Sequence, residues 1–166
     1  MATVAPGGYS SAMLYFEDLT VGRSFTAGPK SVSEAEIIAY ARRFDPQPFH
    51  VDPEAGRAAG LGGVIASGWH TGAMTMRLIC EAFVLDTASL GASSVPAGTW
   101  HLPVKPGDAL TLTAEILEAR RSASRPDRGI VHCGYVLHNQ AAEKVFTMDA
   151  VHFVRCRGAL GSRQEG

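Results

Sequence analysis

The sequence predicts an α+β domain in which one long apolar helix packs on a single curved antiparallel sheet. Three observations lead there. From Ser67 onward (SGWHTGAMTMRLICEAFVLD), Trp69, Ala73, Met76, Ile79 and Phe83 recur at three- and four-residue steps, and Met74, Leu78 and Val84 widen that apolar face. Further on the period drops to two, with Leu110, Leu112, Ala114 and Ile116 alternating with Thr111, Thr113 and Glu115. The strand-like runs also cluster after the helices instead of alternating with them, which separates α+β from a wound α/β sheet.

Taken in order, residues 1–13 are small and turn-rich and read as a flexible arm; residues 14–156 form one domain and 157–166 a tail. Leu14 to Leu19 reads as an edge segment followed by a turn, and Ser24 to Lys30 as a first strand weakened by Gly28 and Pro29. Ser33 with Glu36 is a capping box, and Ile37, Ile38, Tyr40, Ala41 and Phe44 follow at helical spacing, so a short helix is expected from Glu34 to about Arg43. Pro46 and Pro48 disfavour the α conformation for Asp45 and Gln47, so Asp45 to His50 reads as extended or turning. Asp52 can cap one more turn at Pro53-Glu54-Ala55, which Gly60, Gly62 and Gly63 then break. The long helix follows, roughly 25–30 Å at 1.5 Å per residue, and with few charges on it reads as largely enclosed. Strands are then expected near Thr99–Val104, Leu110–Ile116, Ile130–His138 and Val145–Val154, with turns at Pro106-Gly107-Asp108, at Arg125 to Gly129 and between Asn139 and Lys144.

Composition narrows the function. The 166 residues are 46% hydrophobic and 19% charged, with a net charge of -1 and no Lys/Arg run, so nothing provides the electrostatic footprint of a nucleic-acid binder. No apolar run approaches the length that spans a bilayer, and no basic-then-apolar start suggests a leader. The three widely spaced cysteines, Cys80, Cys133 and Cys156, fit a reducing compartment, and a cytoplasmic location is expected.

The stretch with chemical content is FDPQPFHVDPEAGRAAGLGGVIASG, Phe44 to Gly68. Asp45 and His50 lie five positions apart on a proline-stiffened segment. Taken alone, such a pair is more readily a turn residue and an incidental histidine than a site. The helix start at Gly68 adds meaning, because backbone N–H groups there lack intrahelical partners and the dipole favours negative charge. A carboxylate, an imidazole and main-chain donors can then converge on a carbonyl compound. Ser67 reads as the N-cap. His70 reads as a polar residue of the first turn, and His101, His132, His138 and His152 as sheet residues. No G-x-S-x-G or triad supports a serine nucleophile. His50 and Asp52 supply two metal ligands without a third. Arg120, Arg121, Arg125 and Arg128 surround one turn, either as a solvated hairpin end or as a phosphate contact.

These residues resemble a known family. D-P-Q-P-F-H-V-D, then A-S-G-W-H-T, P-V-K-P-G-D, R-G-I-V and N-Q are similar to the MaoC-like acyl dehydratases, including the (R)-specific enoyl-CoA hydratases, from about Tyr15 to Arg155. The resemblance implies a hotdog fold, usually paired into a homodimer. It implies Asp45 and His50 as the catalytic pair and Gly68, beside Ser67, as the residue whose N–H binds the thioester oxygen. It implies reversible hydration of an enoyl thioester on CoA or an acyl carrier, without metal or redox cofactor. In that scheme Asp45 accepts a proton from water while His50 orients the water and protonates the α-carbon. One departure is Gln47, where the family pattern has Asn; the longer amide can move hydrogen bonds around the water. The segment Asp86 to Gly98 is a candidate for shaping the acyl pocket. Two rivals remain: a hotdog thioesterase, for which Glu81 is the only acid within the helix interior, and an inactive acyl-thioester-binding module.

Overall fold

The computed structural model describes residues 13–158, so the expected arm and tail fall almost wholly outside it. A six-stranded sheet, antiparallel at every pairing, runs in the order β1 (Ser24–Ser31), β4 (Ala109–Arg121), β5 (Arg128–His138), β6 (Lys144–Arg155), β2 (Ser89–Ser94), with β3 (Gly98–Trp100) also on β6. β2 and β3 follow one another along the outer side of β6 as a single interrupted edge. The helices α1 (Glu34–Phe44), α2 (Pro48–Val51), α3 (Pro53–Ala58) and α4 (Gly68–Ala82) all lie between β1 and β2 in sequence. α4 packs on the sheet against β1 and β4.

The alternating run of β4 does what its period requires: Leu110, Leu112, Ala114 and Ile116 are all buried, sharing one core with Val131, Cys133, Tyr135 and Leu137 of β5. The first strand forms despite Gly28 and Pro29. It breaks register between Ala27 and Lys30, where Gly28 takes φ +108°, open to glycine and strained for other residues. At α1 the Ser33 hydroxyl accepts the Glu36 N–H at 3.1 Å. The reciprocal half of the box is absent, because the Glu36 carboxylate pairs with Lys30 Nζ at 2.7 Å instead.

Several expectations are corrected. Asp45 to His50 is not extended or turning throughout: Gln47 is extended and Asp45 is non-helical, but Pro48 starts the short helix α2, which carries His50. Proline restricts its predecessor yet suits the first position of a helix. Leu14 to Leu19 is an edge segment at one residue only: Leu14 makes a single parallel bridge to Thr87, and Phe16–Asp18 is a 3₁₀ turn. The central helix ends at Ala82, since Phe83 leaves helical geometry at φ -164°. Segment 86–98 contains a strand, β2, where none is expected from the sequence, and β3 is shorter than the expected Thr99–Val104.

The enclosure of α4 is the largest difference. Its buried face is His70, Thr71, Met74, Thr75, Leu78 and Ile79, while Trp69 is 71% exposed and Met76 43% exposed. The core accepts the stripe containing the threonines because their hydroxyls donate within the helix, Thr71 to the Ser67 carbonyl at 3.3 Å and Thr75 to the Thr71 carbonyl at 2.7 Å. Satisfied in this way, they are buried at little cost.

Candidate active site

The site is built around the break between α1 and α2. Asp45 closes α1 with its N–H on the Ala41 carbonyl, in a non-helical conformation (φ -154°, ψ 70°) that Pro46 enforces. Gln47 is extended (φ -67°, ψ 141°) and precedes α2 at its N-cap; its carbonyl accepts the His50 N–H at 2.9 Å. One turn of helix thus turns His50 inward, where it is 5% exposed.

His50 Nδ1 lies 2.7 Å from the Ile65 carbonyl. A carbonyl only accepts, so Nδ1 carries the proton and Nε2 of the neutral ring presents a lone pair. That Nε2 is 3.6 Å from Asp45 Oδ2. The separation is too long for a good direct hydrogen bond, and one water oxygen can contact both atoms.

The Asp45 carboxylate is held at both oxygens. Ser67 Oγ donates to Oδ2 at 2.6 Å and Gln47 Nε2 donates to Oδ1 at 2.8 Å. The Ser67 hydroxyl foremost, then the Gln47 amide and the nearby His50 ring, hold this carboxyl below its usual range, against the opposing effect of burial. Ser67 also accepts the Trp69 N–H at 3.2 Å, so the expected cap is present and the same hydroxyl serves Asp45. Ser67 is completely buried, and its hydroxyl is committed to the carboxylate.

Gly68 opens α4, where its N–H has no acceptor inside the helix. It lines a cavity of about 280 Å³ together with His50, Ile65, Thr71, Trp100 and His101. Trp100 Nε1 donates to the Gly68 carbonyl at 2.9 Å, and the indole lies so close that a Cβ on Gly68 would meet it at 2.9 Å.

The four residues singled out in the sequence therefore converge: Asp45, His50 and Ser67 through close contacts, and Gly68 as a lining residue of the same cavity as His50. Segment 86–98, considered for shaping the pocket, lends this cavity no lining residue. Sequence reasoning does not find Trp100, which carries no local signal, and it places His101 in the sheet, whereas this residue follows β3 and lines the cavity. It singles out Gln47 as an unusual amide but not the bond from that amide to Asp45. His70 faces elsewhere, stacked on Tyr40 at 4.4 Å with its Nε2 3.7 Å from Glu36. Asp52 accepts the Glu54 N–H at 2.9 Å as the cap of α3. The arginine turn joins β4 to β5 at the opposite end of the strands from Trp100; there Arg121 pairs with Glu17 and Arg128 with Asp127, which favours the solvated reading. Among the described residues no helix is long and apolar enough to cross a membrane.

Comparison with known proteins gives the family and the fold. The family model described as MaoC like domain matches residues 17–132. The MaoC-like dehydratase from Rhodospirillum rubrum is 41% identical and superposes with a TM-score of 0.77, over 87% of this chain and 98% of that one. The R-hydratase PhaJ1 from Pseudomonas aeruginosa, 22% identical, shares the fold with a TM-score of 0.71 over 86% of each chain. YdeM of Bacillus subtilis is 31% identical over 130 residues, 78% of this chain and 91% of that protein. The span matched by the family model includes Asp45, His50 and Gly68, and the chain, a helix wrapped by an antiparallel sheet in the hotdog manner, belongs to the MaoC-like dehydratase family.

Proposed function

We propose that the protein is a hydro-lyase that reversibly adds water across the 2,3-double bond of an enoyl thioester carried on CoA or an acyl carrier. The observation that carries this reading is the approach of His50 Nε2 to Asp45 Oδ2, 3.6 Å, beside a cavity that reaches the free N–H at the start of α4. A water held by both groups has its oxygen directed at C3 of a thioester whose carbonyl oxygen lies against Gly68. The C3–O bond forms as the C2–C3 π pair moves toward the carbonyl, and the enolate charge meets the Gly68 N–H and the helix dipole.

The hydrogen bonds favour a different division of labour from the one the resemblance suggests. Asp45, with both oxygens occupied and its carboxyl held acidic by Ser67, is a weak proton acceptor and a good orienting group. His50 Nε2 has the free lone pair. In this scheme it takes one water proton and, as imidazolium, returns it to C2; the other hydrogen stays on the new hydroxyl. Dehydration runs the same steps backwards.

The thioesterase alternative is weaker, because Glu81, its candidate carboxylate, sits on the exposed side of α4 and accepts from Arg77 Nε at 2.6 Å. A second copy of the chain is the natural cover for the β2–β3 edge. Every residue from 91 to 103 is exposed there, next to the exposed Trp69 and Met76 of α4. Such a cover would sit at the cavity mouth beside Trp100 and Leu102. Spectrophotometric assay of crotonyl-CoA and longer trans-2-enoyl-CoA hydration tests the proposal. Wild type should turn over without releasing thiol, and Asp45→Ala should lose roughly 10²- to 10⁴-fold. Equal turnover by the two proteins would overturn the assignment.

A further inference from the structure

Gln47 stands between Asp45 and His50 in sequence and bonds to both. Its Nε2 donates to Asp45 Oδ1 at 2.8 Å, and its main-chain carbonyl accepts the His50 N–H at 2.9 Å. Its own N–H returns to the Asp45 carbonyl at 2.8 Å. We propose that Gln47 is a positioning residue of the acid–base pair, its side chain fixing the rotation of the Asp45 carboxylate and its backbone fixing the turn that carries His50.

The physical case is geometric. A carboxylate with one donor can swing about its Cβ–Cγ bond. Ser67 alone pins Oδ2; the Gln47 amide on the other oxygen fixes the plane. The lone pairs left over on Oδ2 are then the ones available to a water shared with His50 Nε2. Gln47 occupies the N-cap position of α2, where the side chains that cap best are Asn, Asp, Ser and Thr. The Gln side chain makes no cap bond there. Being one methylene longer than Asn, it reaches across to Asp45. Both ends of the pair therefore depend on one exposed residue, whose side chain can be changed without emptying the core.

The inference rests on the hydratase reading for its catalytic meaning, and its test separates the two. Gln47→Leu removes the donor, and Gln47→Glu replaces it with a like charge. Both should fold as wild type by circular dichroism and melting. The readout that needs no turnover is the Asp45 carboxyl itself, followed by ¹³C NMR and assigned by its loss in Asp45→Asn. Its titration should move to higher pH in Gln47→Leu and further in Gln47→Glu. With crotonyl-CoA, kcat should fall about tenfold in Gln47→Leu, the size of a lost hydrogen bond to a charged group, with KM little changed. An unchanged Asp45 titration in a folded Gln47→Leu protein would overturn the inference. A wild type that hydrates no thioester would remove the hydratase reading, while the titration would still decide whether Gln47 positions Asp45.

Discussion

The Ser67 hydroxyl donates to Asp45 Oδ2 at 2.6 Å while accepting the Trp69 N–H at 3.2 Å, so the cap of the central helix and the site carboxylate form one hydrogen-bonded unit. Helix stability and site geometry are coupled through a single oxygen atom.

Ser67→Ala removes a cap and a charge-assisted hydrogen bond together, and is expected to cost about 2–3 kcal/mol at neutral pH. The Asp45 pKa is depressed in the folded state, so its contribution is complete above the ordinary carboxylate value and is lost as pH falls through the lower folded value. Urea unfolding of the two proteins should show a gap that narrows in acid. A gap independent of pH would mean that only the cap matters.

Gly68→Ala places a methyl group where the Trp100 indole already lies, at 2.9 Å from its nearest atom. The ring is held by its bond to the Gly68 carbonyl and by Phe146, 5.4 Å away between centroids. Overpacking of about 1–3 kcal/mol is expected. In a Trp100→Ala background the same substitution should cost little, since alanine suits a helix. A double-mutant cycle measures the coupling, and additive effects would contradict the contact.

His70 is buried against Tyr40, near Glu36 and Lys30, and burial holds its pKa below the ordinary histidine value, against the opposing pull of Glu36. The unfolded chain then binds the proton first as pH falls from about 6.5. Stability from this group is whole above that pH and is lost as the pH drops through the folded value. His70→Phe keeps the stacking partner and removes the titration. Its melting temperature should therefore depend less on pH, from about 7 down to about 5, than that of wild type, which differential scanning calorimetry would show.

Ala73 lies on the exposed stripe of α4 with Trp69 and Met76. If a second copy covers that stripe, Ala73→Arg should give a monomer in sedimentation while leaving the fold intact, because the position lies outside the buried face of the helix. An unchanged sedimentation coefficient would place any interface elsewhere.

Much of the fold is legible in the chain because it rests on short-range rules. The alternation from Leu110 to Ile116 sets which side of β4 is buried. Ser33 and Pro46 mark the two ends of α1 through capping and sterics within a few residues, whereas α2, which Pro48 starts, is not read from the sequence. The chemistry is legible as an inventory, since Asp45, His50, Ser67 and Gly68 are of the right types and lie close in sequence. β2 gives no such signal, because Ser89 to Ser94 is small and polar, with an edge position that depends on β6 alone for its pairing.

Periodicity, proline sterics and caps act between neighbours along the chain, so α1, the central helix, the strands β4 to β6 and the candidate groups follow from residue order. The face of α4 that goes inward does not: Thr71 and Thr75 are buried, whereas Trp69 and Met76 stay out. Nor does residue order tell how the groups act on one another. Ser67 reaches Asp45 across 22 residues, Ile65 meets His50 across 15, and Trp100 meets Gly68 across 32. Those contacts depend on how separate segments close in space. Hydrogen-bond direction, which sets the ionisation of Asp45 and the free lone pair of His50, exists only after that closure.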